Sequence, residues 1–183
     1  WPEALVPRIT LVATVALVHA GMAAQRAKAR EPASQSAIDA ALDRGIERLH
    51  DEYRTHVERG DLDEERVGMT ALALYTLLKC GVPASDEVVQ GLVAHVQSRR
   101  IDHTYDATCA LLAAQAHDVI GNRRWIAALA QRLVAWQSER GDWGYPEGDG
   151  DLSNTQYAAL GLWAASRAGV PIGGKGLTAR QCR

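Results

Sequence analysis

Residues 70–83, TALALYTLLKCGVP, and residues 158–171, AALGLWAASRAGVP, are identical at six of fourteen positions when laid over each other at an offset of 88. Ala71 falls on Ala159, Leu72 on Leu160, Leu74 on Leu162, and Gly81-Val82-Pro83 on Gly169-Val170-Pro171. The body of each stretch carries no charge and is apolar nearly all round, which suits a helix covered on both sides. The shared end has a mechanism. Glycine takes the left-handed conformation that closes a helix, and proline then prevents continuation. The chain therefore repeats a helical unit.

A middle copy at 107–116, ATCALLAAQA, fits at an offset of 39 through Ala110 and Leu111, and at an offset of 40 Gln97 falls on Gln137. The insertion at 141–150 pushes the third copy later. Between these apolar helices lie polar-faced ones. Ser36 is placed to cap a helix whose stripe is Ile38, Leu42, Ile46 and Leu49. Ser85, with Asp86 and Glu87 at the positive end of the dipole, starts a second through Val88, Leu92 and Val96. A third, over 123–136, has the stripe Ile126, Leu129, Leu133 and Trp136. Nothing alternates with period two for long enough to make a sheet, so the expectation is an all-α domain of αα hairpins, with three inner helices lining one side.

At 183 residues and 47% hydrophobic content, the chain is long enough for one sizeable core. Twenty basic against 22 acidic residues leave a formal charge of -2, which provides no electrostatic footprint for nucleic acid. Cys80, Cys109 and Cys182 have neither disulfide-framework nor zinc-ribbon spacing. Arg8 precedes an uncharged run at 9–18, and the small residues Gly21, Ala23 and Ala24 follow, so residues 1–24 read as a secretory signal and the protein as exported. His19 interrupts that run before it reaches membrane-spanning length, so no stable span is expected in the mature chain. Residues 25–35 read as a linker, 36–172 as the repeat domain, and 173–183 as an irregular tail.

The segment 133–143, LVAWQSERGDW, places Gln137, Gly141 and Trp143 in the order Q-x-x-x-G-x-W. This resembles the QW motif of the prenyltransferase and squalene cyclase repeat family (prenyltransferase and squalene oxidase repeats), whose fold is the α/α toroid. There the glutamine closes the end of an outer helix and stacks on the tryptophan. Arg132 stands where the family has an aromatic residue. The resemblance extends over residues 36–172 and implies inner and outer helices around a central cavity. Three inner helices predict an incomplete ring.

In class II terpenoid cyclases of this family, an aspartate within D-x-D-D-T-A at the start of an inner helix protonates the substrate alkene. Laying that threonine on Thr108 puts the catalytic position on Asp106, with Cys109 where the alanine stands; Thr104 and Ala107 replace the other two acids. Read from the residues alone, Asp106 is an acid beside the positive end of a helix dipole. His103, Asp106 and Cys109 recur at intervals of three, but the spacing differs from that of the family's zinc ligands, and no metal or cofactor is expected. The acidic run 61–65 reads as a solvated loop, and Ser153 with Gln156 as a capping box. His50, His56, His95 and His117 read as isolated surface or satisfied residues.

The inner helices and their leads supply only Tyr75, Tyr105, Tyr157 and Trp163 as aromatic faces, and the chain has no Phe. The expectation is thus an exported, non-catalytic binding or scaffold module for a protein partner or an apolar ligand. The alternative is the N-terminal part of a squalene-hopene-like cyclase.

Overall fold

The computed structural model describes residues 34–62, 66–145 and 148–172. The expected signal segment 1–24, most of the expected linker, and the expected tail 173–183 lie outside the described residues. By contact the chain divides into a unit ending at Arg44 and a second unit, Gly45–Arg183. The described part of the first is the start of helix α1 (Gln35–Arg59), with Ile38 and Leu42 exposed. Its cap is Ser34, whose hydroxyl accepts the Ala37 N–H at 3.2 Å, rather than the expected Ser36. Either serine can cap, and the chain uses the earlier one, so the helix takes in Gln35 from the expected linker.

The second unit contains the rest of α1, then α2 (Val67–Lys79), α3 (Glu87–Ser98), α4 (Thr104–His117), α5 (Arg123–Ala135) and α6 (Leu152–Arg167). The all-α expectation holds for the body of the domain. It fails at the insertion, where β1 (Trp143–Gly144) pairs antiparallel with β2 (Gly150–Asp151). A two-residue ladder needs no hydrophobic alternation, so period-two patterning could not reveal it.

The three apolar helices stand side by side, with α4 packed against α2 on one flank and α6 on the other. The amphipathic helices cover them: α3 lies on α2, and α5 lies on both α4 and α6. Ile126, Leu129 and Leu133 turn inward from α5, and Val88, Val89, Leu92 and Val96 from α3. Burial on all sides is achieved by α4 alone, where every residue from Ala107 to Ala114 is buried. On α6 the pattern breaks. Leu152, Leu160 and Trp163 are exposed along one stripe, and the Arg167 guanidinium lies 5.6 Å from the Trp163 ring centre. An aliphatic stem and a flat cation can cover an exposed indole in this way.

The sequence repeat is also a repeat of geometry. After α2, Gly81 takes φ +91 while Val82 N–H donates to the Leu77 carbonyl at 3.0 Å. After α6, Gly169 takes φ +74 while Val170 N–H donates to the Ala165 carbonyl at 3.0 Å. Both glycine amides close the shorter ring, on Leu78 and Ser166. These are matching Schellman ends, 88 residues apart, and only glycine enters their left-handed position without strain.

Two further helix starts differ from expectation by one or two residues. Asp86, not Ser85, caps α3, its carboxylate accepting from the amides of Val88 at 3.0 Å and Val89 at 3.2 Å. Asp151, not Ser153, caps α6, accepting from the Asn154 amide at 2.7 Å and its Nδ2 at 2.6 Å. In each case an ionised carboxylate stands beside the serine, and its charge suits the positive helix end better than a hydroxyl does.

Candidate functional site

The helices α2, α4 and α6 all begin at the same end of the bundle. A cleft of about 840 Å³ opens there, lined by Arg66, Val67 and Met69 at the head of α2, by Arg100, Asp102, His103, Tyr105 and Asp106 at and just before the head of α4, and by Ser153 and Tyr157 on α6. Tyr145, beside β1, completes the rim. The insertion is pinned into place by two hydroxyls: Thr104 donates to the Gly144 carbonyl at 3.2 Å, and Thr155 accepts the Trp143 N–H at 3.0 Å.

Asp106 lines this cleft half-buried. Its carboxylate also accepts the backbone N–H of Gly68 on α2. The N-cap of α2, Arg66, makes no side-chain cap of its own. Asp106 therefore caps a neighbouring helix as well as lying in the first turn of α4. Burial pushes its pKa above the usual carboxylate value and Asp102 adds to the rise, while the fields of His103 and Arg66 and the Gly68 hydrogen bond pull the other way. The net direction is up. Gly68 is what permits the approach, because a Cβ there would sit 2.2 Å from Asp106 Oδ1 and 2.8 Å from the Tyr105 ring.

Tyr105 stands edge-on to Tyr157 with ring centres 4.8 Å apart, and His103 stands edge-on to Tyr145 at 6.1 Å. Burial, with the adjoining Cys109, raises the Tyr105 phenol. Burial also pushes the Cys109 thiol up to about 12, so Cys109 is a neutral, fully buried core residue. No cluster of three metal-ligating side chains exists among the described residues. The three-residue spacing of His103, Asp106 and Cys109 does not gather them, because Cys109 turns into the core while His103 is exposed at the cleft.

The QW residues follow the C-terminal end of α5. Gln137 follows the end of α5 and its Nε2 donates to the Gly141 carbonyl at 3.0 Å; Gly141 itself turns the chain at φ +86. Trp143 is 2% exposed, and its indole N–H donates to the Leu133 carbonyl in the last turn of α5 at 2.6 Å. The tryptophan thus supplies one of the donors that the free carbonyls of a helix C-terminus lack. Of the other histidines, His50 meets Asp86 at 2.9 Å and His56 meets Asp61 at 2.8 Å, so both are satisfied. Leu62, in the expected solvated loop, is buried, while 63–65 lie outside the described residues.

Sequence reading did not single out Arg66, Arg100 or Met69 as cleft residues. They stand in loops or at a helix start with no motif of their own, and only the packing of α2 beside α4 brings them together. No helix among the described residues is long and apolar enough to cross a membrane. No family model, curated protein or solved structure matches this chain.

Proposed function

We propose that this chain is a non-catalytic binding module built on toroid repeats of the prenyltransferase and squalene cyclase type, working outside the cytoplasm. It holds its ligand in the cleft at the heads of α2, α4 and α6. The single observation that carries this reading is the cleft itself, a concave site of small-molecule size where rigid helix ends converge apolar and polar side chains. The repeat-related Schellman ends and the QW-like contacts of Gln137 and Trp143 support the family assignment. Export rests on the signal-like residues 1–24.

A second reading, the N-terminal part of a class II cyclase, draws on the place of Asp106 at the cleft and its raised pKa. Against it stands the chemistry. Protonating an isolated alkene takes a strong acid held dry against aromatic walls, with binding energy directed at the cation. Here Asp106 lies in an open cleft beside His103 and Arg66, and already accepts a hydrogen bond from Gly68. Water reaching the cleft would quench a carbocation.

The test is to incubate the purified chain with squalene and with prenyl diphosphates and to look for products by mass spectrometry. No product is expected. Turnover that disappears in Asp106→Asn would overturn the binding-module reading and put the cyclase first.

A further inference from the structure

The charged side chains that border the cleft balance one another. Arg66 and Arg100 stand against Asp102 and Asp106, and Arg100 already holds Asp102 through its Nε at 2.9 Å. An anionic ligand would meet the half-buried Asp106 carboxylate, and a cationic one would meet Arg66 and the surroundings of His103. Neither gains a clear electrostatic advantage. A purely apolar chain fares no better, because lying along this wall would strip water from arginine, aspartate and serine side chains without replacing their hydrogen bonds.

What remains is a neutral ligand that is apolar on its faces and hydroxylated on its rim. The aromatic part of the cleft fits such a molecule. Tyr145 is 60% exposed at the rim, with His103 set edge-on to it, and Tyr157 and Tyr105, also lining the cleft, form a second edge-on pair. Exposed rings of this kind offer flat apolar surface at little cost in side-chain entropy. The guanidinium and carboxylate groups that share this lining offer planar, two-pronged hydrogen bonding of the kind that adjacent hydroxyls satisfy.

Resting on the binding-module reading, we propose that the cleft takes a neutral carbohydrate, an oligosaccharide stacked on Tyr145 and hydrogen-bonded by Arg66, Asp106 and Ser153.

Saturation-transfer NMR and titration calorimetry with maltohexaose, cellohexaose and chitohexaose as probes test this on the whole chain. At least one probe is expected to bind, with a Kd that changes less than about twofold between low and high salt, since the ligand is uncharged. Tyr145→Ala should weaken it about tenfold, the loss of one stacking face. Tyr145 is exposed, so that variant should fold. Trp163→Ala, which removes an exposed aromatic outside the cleft, should leave binding unchanged. Sugar binding indifferent to Tyr145→Ala, or lost equally in Trp163→Ala, overturns the assignment to this cleft. If no sugar binds but squalene or a prenyl diphosphate does, with Tyr145→Ala weakening it, the carbohydrate inference falls and the binding-module reading stands. If none of these ligands binds, both fall.

Discussion

The carboxylate of Asp106, on α4, accepts the backbone N–H of Gly68, on α2, so one helix supplies the cap that its neighbour lacks. Because burial leaves the Asp106 pKa raised, the ionised form costs the folded state stability at any pH above the ordinary carboxylate range. Asp106→Asn keeps an acceptor for Gly68 and removes the charge. It is expected to raise the melting temperature at neutral pH, and the gain should shrink as pH falls and the native carboxyl becomes protonated. Thermal denaturation of both proteins between pH 3.5 and 8 checks this. A lower melting temperature for the variant throughout would mean that the charge itself is needed for the cap.

Gly68→Ala sets two effects in opposition. Alanine in a helix is favoured over glycine by about 1 kcal/mol. Here, however, the new Cβ would lie 2.2 Å from Asp106 Oδ1 and 2.8 Å from Tyr105, and overpacking of this kind costs about 1–3 kcal/mol. The clash should win, and urea denaturation should show a net loss of stability. Combining it with Asp106→Ala, which vacates the space, should recover part of that loss; strict additivity of the two changes would show that they do not meet.

Trp143 fills the space between the insertion and α5 and ties down the Leu133 carbonyl. Trp143→Ala is expected to destabilise the fold by about 3–5 kcal/mol. Trp143→Phe keeps most of the volume but orphans the carbonyl, and should cost about 1–2 kcal/mol. An unchanged denaturation midpoint in the alanine variant would show that the QW-like contacts hold nothing together.

Cys109 and Cys80 should differ sharply as nucleophiles. Cys80 is exposed, and Cys109 is buried with its thiol pushed up to about 12. In a Cys182→Ser background, iodoacetamide at pH 8 should label Cys80 readily and Cys109 only after denaturation, as peptide mass spectrometry would reveal. The raised thiol also sets the sign of a pH effect. Its contribution is intact below the unfolded thiol value, near 9, and is lost as pH rises toward 12, so Cys109→Ala should flatten the alkaline limb of the stability curve.

Sequence alone determined which segments are helices and, for α3, α4 and α5, which faces they bury, whereas the start of α1 and one stripe of α6 expose residues that their apolar patterning marked for burial. Charge-free and polar-faced stretches alternate, and the stripe of α5 is covered in the fold as its spacing of three and four requires. It also determined the two Gly-Val-Pro ends, because a left-handed residue followed by proline is a local requirement that needs no neighbour. The caps were legible as regions but not as residues. Ser36 lay near an equivalent hydroxyl, Ser34, and Ser85 and Ser153 near carboxylates, Asp86 and Asp151, that suit the positive helix end better. The β1–β2 ribbon was not legible, since its two-residue strands carry no periodic signal. Nor was the cleft. Asp106 was singled out by a motif-like position, but Arg66, Met69 and Tyr145 lie about forty residues from it in the chain. They meet only because α2, α4 and α6 stand side by side with their starts at one end. Helix formation depends on periodicity within a dozen residues, whereas a cleft between helix ends depends on contacts that no local pattern encodes.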